Sequence, residues 1–347
     1  MGEITDFDVE VRSLLGLPEN GLTSNSLMSY YREIGPINRW CMPWGKAENH
    51  DTERPSGRTE VTTTVTLTGT GLPNVAPGRA GAGVCVQYGD IVLQFDAGRA
   101  TCNRLIEAGV RTSQLTAVFI THMHSDHLFG LPELVLTRWI ETQFDEQVTP
   151  IVVMAPSGGA ARFVQRMLDP FDEDIELRRD HTGSREVPMD AREFPASFVP
   201  ADVWTSEDGS VVVSAVGVRH EPVPDAVAYK VTTPDGFCVI SGDTRVCVEV
   251  EDFSRNANVL VHEAFRRAPL AMTIERLPRV NSILDYHADS IQLGAMAQRA
   301  QVENLMLTHL GPPPNTEAAE QAFADDVRSG GYTGHLVVGR DLMSISF

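Results

Sequence analysis

The sequence predicts an α+β fold, two β-sheets packed face to face with helices on their outer faces (αββα), preceded by an N-terminal extension. Three observations predict it. Short apolar, β-branched segments recur in two separate blocks, 60–154 and 211–308. Helical patterns alternate with them in both blocks, so neither sheet stands alone. Hydrophobic residues make up 42% of the 347, enough to fill a sandwich core.

Each element has its own signal. Residues 60–67 are β-branched, as a strand requires, and a turn follows at Gly69-Thr70-Gly71. Strands at 83–88 and 91–95 flank Gly89-Asp90, a hairpin turn. A helix at 99–107 stops before Gly109. An apolar strand at 115–120 leads into a histidine-rich run, and a helix follows at 131–140. The second half continues with a strand at 151–154 and a helix at 159–168. Strands then fall at 211–218, 226–232, 237–241 and 259–262. A helix at 290–300, a strand at 305–308, a helix at 316–329 and a terminal strand pair complete the chain. Residues 169–200 read as a long acidic, proline-punctuated insertion, and loops of that length are usually functional or mobile.

Residues 1–58 differ in character. A possible helix at 25–34 precedes Trp40-Cys41-Met42-Pro43-Trp44 and a polar stretch. We read 1–58 as an N-terminal arm that packs on the main domain, 59–347, or on a partner subunit, which leaves a homodimer possible. The start of the chain has no basic-then-apolar leader, and no apolar run is long enough to span a membrane. The expectation is a cytoplasmic protein that does not engage membranes. The five cysteines form no C-x-x-C pair and are expected to be free thiols. His50, His181 and His335 have no motif around them and read as surface residues.

Chemistry concentrates in Thr121-His122-Met123-His124-Ser125-Asp126-His127. Four potential ligands fall within six residues at the end of a strand. Imidazole and carboxylate suit Zn²⁺, and an extended turn would aim His122 and His124 one way, with Asp126 and His127 toward a neighbouring metal.

This H-x-H-x-D-H run resembles the signature of the metallo-β-lactamase superfamily, and the likeness is nearest to its ribonuclease Z and arylsulfatase-like branch. It extends over about 62–347. It includes Leu67-Thr68-Gly69-Thr70-Gly71, Phe95-Asp96-Ala97-Gly98, Ser241-Gly242-Asp243-Thr244, His262-Glu263-Ala264, Tyr286-His287-Ala288-Asp289 and Leu307-Thr308-His309. The resemblance implies an αββα metallo-β-lactamase sandwich and a dinuclear site with two Zn²⁺ per chain. His122, His124 and His220 would hold one metal. Asp126, His127 and His309 would hold the other, with Asp243 bridging. Such a pair lowers the pKa of a shared water and stabilises charge developing on the substrate. The resemblance also assigns His287 to the leaving group and Glu263 to orienting it. With Asp126 these form the expected catalytic set. Asp96 is expected to support the metal loop from behind and His262 to be structural.

Function is read from where the chain departs from that branch. Ribonuclease Z enzymes of bacteria carry a Gly-, Pro- and base-rich arm that clamps tRNA, whereas the insertion here carries Asp169, Asp172, Glu173, Asp174 and Glu176. Lys and Arg number 28 against 47 Asp and Glu, a net charge of −19. Phosphate backbones are gripped by clustered cations. The leading expectation is therefore a zinc-dependent hydrolase of a small molecule: a phosphodiester, sulfate ester, lactone or another activated bond. Nucleic acid is an unlikely partner on this reading; Trp40, Trp44, Phe129 and Trp139 could line a substrate pocket, although the Trp and Met residues of the arm read first as packing anchors. The alternative is a ribonuclease Z-like tRNA 3′-processing endonuclease. A third reading is a non-hydrolytic member, such as a redox enzyme or a metal-binding partner protein; the redox di-iron members carry Glu where His124 stands, which weighs against that class.

Overall fold

The computed structural model describes residues 61–145 and 147–347. The proposed arm, its helix, Cys41, His50, Trp40 and Trp44 lie outside the described residues.

Six strands of the first sheet run in chain order. They are β1 (Thr64–Gly69), β2 (Gly83–Tyr88), β3 (Ile91–Phe95), β4 (Ala117–Phe119), β5 (Ile151–Pro156) and β6 (Met189–Phe194). β1 to β3 pair antiparallel, and β3 to β6 pair parallel. The second sheet is β7 (Ala201–Thr205), β8 (Val212–Gly217), β9 (Val227–Thr233), β10 (Gly236–Ile240), β11 (Val259–Phe265), β12 (Asn304–Gly311) and β13 (His335–Val338), again in order. The last strand, β14 (Ser344–Ser346), crosses back to pair with β1. The terminal strands are thus not a pair. One closes each sheet, and β1 sits between β2 and β14.

Strand alternation sorts side chains into three apolar layers. Leu67, Val86, Leu93, Phe95 and Phe119 of the first sheet meet Val213, Tyr229, Val231, Val261 and Met306 of the second. The aromatic centre of this layer is tight: the rings of Phe95 and Phe119 are 4.9 Å apart, and each also contacts Tyr229. The opposite face of the first sheet, with Val118 and Val153, packs on Leu105, Leu131, Leu134 and Val164 from the helices Thr101–Glu107, Leu131–Thr142 and Gly159–Arg166. The outer face of the second, with Val239, Leu260 and Leu305, packs on Leu293, Met296, Phe323 and Val327 from Ser290–Arg299 and Glu317–Ser329. This is the αββα order the sequence predicts.

The region 169–200 is not a long loop. It forms the helix Asp172–Thr182, then edge strand β6. That helix buries none of its residues, so its sequence shows no apolar stripe. Trp139 is also reassigned. It is 1% exposed, its Nε1 donates to the Arg185 carbonyl at 3.0 Å, and it is a core anchor rather than a pocket wall. Phe129 is exposed. Cys85, Cys102, Cys238 and Cys247 are free thiols. Among the described residues no helix is long and apolar enough to cross a membrane.

Candidate metal centre

The site lies where strands of both sheets end. β4 finishes at Phe119, and the chain turns through Thr121–His124 into the short helix Ser125–Leu128. This turn is held from both sheets. Ile120 N donates to the Met154 carbonyl at 2.9 Å, the Tyr229 hydroxyl donates to the Ile120 carbonyl at 2.7 Å, and Val227 N donates to Thr121 O at 3.0 Å. The Phe95-Asp96-Ala97-Gly98 segment packs under it. A Cβ on Gly98 would sit 2.4 Å from the Asp126 carbonyl, so only glycine allows this backbone approach.

Two further ligand candidates are presented by left-handed backbone, free of strain at a glycine and strained at a histidine. Gly242, at φ 59°, turns the chain after β10 and presents Asp243. His309 has φ 45°, unusual for a residue with a side chain. It is also the extra residue of a bulge: Glu263 pairs with Thr308, but Ala264 pairs with Leu310. The bulge re-aims His309 at the end of β12. A left-handed conformation held inside a parallel sheet is the kind of strain that function retains.

The folded chain brings all seven candidates together. Ligand atoms of His122, His124, His220 and Asp243 lie within 4.8 Å of one another, as do those of Asp126, His127 and His309. Asp243 stands between the groups. Its Oδ2 is 3.8 Å from His122 Nε2, 4.0 Å from His220 Nε2 and 3.5 Å from His309 Nε2, while Oδ1 is 3.4 Å from His127 Nε2. His309 Nε2 is 3.2 Å from Asp126 Oδ2, and His220 Nε2 is 3.2 Å from His124 Nδ1.

Outer partners fix the rings. His122 Nδ1 is 3.0 Å from Thr121 Oγ1, and His127 Nδ1 is 2.7 Å from Asp96 Oδ2. His220 Nδ1 is 3.2 Å from the Tyr286 carbonyl. Each contact leaves Nε2 facing inward. Asp96, itself at φ 53°, also accepts from Thr121 N and Oγ1, both at 2.8 Å. It therefore buttresses the ligand run at two points, the arrangement common behind metal-bound histidine.

The donor set fits a cation. His122 Nε2, His127 Nε2 and Asp243 Oδ1 are buried and lack hydrogen-bond partners. Three such atoms converging in one place are costly unless something positive sits among them. Burial drives His122 well below its ordinary pKa and His220 down to about 4, so both present neutral lone pairs. His127 goes the other way: burial lowers it, but the Asp243 and Asp96 carboxylates outweigh burial and raise it, so a metal would compete with a proton there.

Beside the cluster, His287 is held by Glu263. Glu263 is fully buried, and its two oxygens lie 2.9 and 2.8 Å from His287 Nδ1. It also accepts from Thr244 N at 2.6 Å and Ala288 N at 3.4 Å. Phe265 stacks on the imidazole at 4.3 Å. His262 is wholly buried with Nδ1 2.8 Å from the Glu263 carbonyl, a structural placement. His181 and His335 are exposed. The sequence motifs include Thr121 and Tyr286 without assigning them a role, and Phe265, which follows His262-Glu263-Ala264, was missed; adjacency to that motif was the available signal.

A family model described as the metallo-beta-lactamase superfamily matches residues 82–277. The chain belongs to the metallo-β-lactamase superfamily. Its members' fold and this donor set make it a metal-dependent hydrolase. A Ribonuclease Z of Mycolicibacterium paratuberculosis is 32% identical over 280 residues, covering 80% of this chain and 96% of that protein. A Ribonuclease Z of Mycobacterium sp. (strain KMS) is 34% identical over 262 residues, covering 75% and 89%. Among solved structures, the metallo-β-lactamase fold protein YhfI from Bacillus subtilis superposes with a TM-score of 0.61 at 18% identity, covering 82% of this chain and all of that one. The short form of human tRNase Z gives 0.56 at 20% identity, covering 81% and 98%. These two show the fold alone.

The relatives correct the substrate expectation. Near-full-length likeness to proteins named Ribonuclease Z overturns the reading of a small-molecule substrate with nucleic acid unlikely. The physical reason is that −19 is a sum over the whole chain, whereas a phosphate backbone responds to the field at one face. The acidic run that weighed in that reading forms an exposed helix with its own ion pair, Arg178 to Asp174.

Proposed function

We propose that this chain is a zinc-dependent endonuclease that removes the 3′ trailer of precursor tRNA, with its chemistry in residues 59–347. The observation that carries the reading is 32% identity over 280 residues, spanning 96% of a Ribonuclease Z. The Glu263–His287 pair beside the cluster supports it, because phosphodiester cleavage needs a donor for the leaving oxygen. The work belongs in the cytoplasm, where the sequence reading also puts the protein.

On this reading His122, His124 and His220 would hold one zinc and Asp126, His127 and His309 a second, with Asp243 a ligand available to both groups. Bound zinc would supply positive charge at the scissile phosphate and lower the pKa of a water. His287 donates a proton from Nε2 to the departing ribose oxygen. Glu263 accepts at Nδ1, fixing the ring and favouring its protonated form. Asp96 and Thr121 keep the ligand run in register.

The test is to strip the protein with chelator, restore zinc and follow a labelled precursor tRNA. Trailer release that disappears with the metal and returns with about two zincs bound supports the reading. Full activity after complete metal removal contradicts it.

A further inference from the structure

Tyr286 lies beside both the ligand candidate His220 and His287, whose own rings are 5.3 Å apart. Its ring meets that of His220 edge to face, 5.1 Å away at 87°, and lies 4.9 Å from that of His287. The residue is only partly buried, unlike its neighbours His287 and Ala288. Its hydroxyl is not among the buried atoms that lack a partner, and no bond to it is made by the described residues.

The ring is not needed to hold either histidine. His220 is fixed by the Tyr286 backbone carbonyl at 3.2 Å, a contact that any residue here can make. His287 is fixed at Nδ1 by Glu263 and packed by Phe265, stacked at 4.3 Å and 17°. Tyr286 thus places a large, flat, partly exposed side chain beside the His220 and His287 rings, while hydrogen bonds that do not involve that ring fix both histidines. Single-stranded nucleic acid is held at such places by bases stacking on aromatic rings.

We propose that Tyr286 is a substrate-positioning residue whose ring stacks on the base, or other aromatic ring, flanking the scissile phosphodiester. This rests on the phosphodiesterase reading above. Stacking acts equally on ground and transition state, so its loss raises KM and spares kcat.

The experiment compares Tyr286→Leu and Tyr286→Phe on precursor tRNA and on bis(4-nitrophenyl) phosphate, whose aryl rings flank the scissile bond, with zinc content measured alongside. The expected result is a KM raised about 5- to 150-fold in Tyr286→Leu, from the usual worth of a base–aromatic stack. kcat and zinc should be retained, and Tyr286→Phe should rescue most of the loss. A fall in kcat at constant KM, loss of zinc, equal damage in both variants, or no change in KM would each overturn the proposal. If the wild type cleaves the aryl diester and leaves precursor tRNA intact, the nuclease reading fails. The Leu and Phe variants on the diester then still decide the role of Tyr286.

Discussion

Both carboxylate oxygens of Glu263 lie within 2.9 Å of His287 Nδ1, and Glu263 is fully buried. A buried carboxylate with one imidazole partner and two amide donors is arranged to orient that ring, and it leaves Nε2 for substrate. If His287 protonates the leaving oxygen, His287→Ala should keep its metal and lose about 10²–10⁴-fold in kcat. The loss should be smaller for an aryl diester that releases 4-nitrophenol than for one that releases phenol. Glu263→Gln should show a weaker defect of the same kind. Equal losses on both diesters would remove His287 from the role of donor.

The same pair sets a pH dependence. Burial lowers the His287 pKa, but the Glu263 carboxylate more than reverses this, and the net shift is upward from 6.5. A raised histidine stabilises the fold below its unfolded pKa and loses that contribution as pH rises through the folded value. A proton donor behaves likewise, so kcat should fall on the alkaline side of the ordinary histidine range. Profiles of wild type and His287→Asn, read side by side, check this. An alkaline limb that persists unchanged in His287→Asn contradicts it.

Asp96 buttresses the ligand run through His127 and Thr121. Asp96→Asn keeps the size and loses the charge. Zinc affinity should drop by about 10- to 100-fold, the usual cost of losing such a support. Competition with a chromophoric chelator measures it. Unchanged affinity would show that His127 needs no carboxylate behind it.

Tyr229 joins the inter-sheet core to the ligand run, since its hydroxyl donates to the Ile120 carbonyl within a ring cluster that includes Phe95 and Phe119. Tyr229→Phe keeps the packing and removes one buried hydrogen bond, leaving the carbonyl unsatisfied. Urea unfolding should show a loss of ~1–3 kcal/mol. No measurable change would mean that water or another donor replaces the hydroxyl.

How legible the sequence was depends on locality. His122 to His127 lie in one turn, so their spacing carried their chemistry. His220, Asp243 and His309 are far apart in the chain, and only motif order joined them. Their convergence depends on features that composition does not show, the bulge at His309 and the turn at Gly242. β6, Met-Asp-Ala-Arg-Glu-Phe, is an edge strand with several exposed residues, and its polarity hid it. The last strands read as a pair because they are adjacent in sequence, whereas β13 adds to β12 across the helix Glu317–Ser329 and β14 pairs with β1 at the other end of the domain. The substrate was misread for a different reason: a net charge has no position, and binding depends on where charge lies.

Product mapping decides whether the substrate is precursor tRNA. Purified, zinc-loaded protein is incubated with a precursor tRNA bearing a 3′ trailer at ~150 mM salt, the physiological ionic strength, and the new ends are sequenced. One cut at the trailer junction, absent in His124→Ala, is the expected result. An intact precursor beside efficient turnover of bis(4-nitrophenyl) phosphate would contradict it.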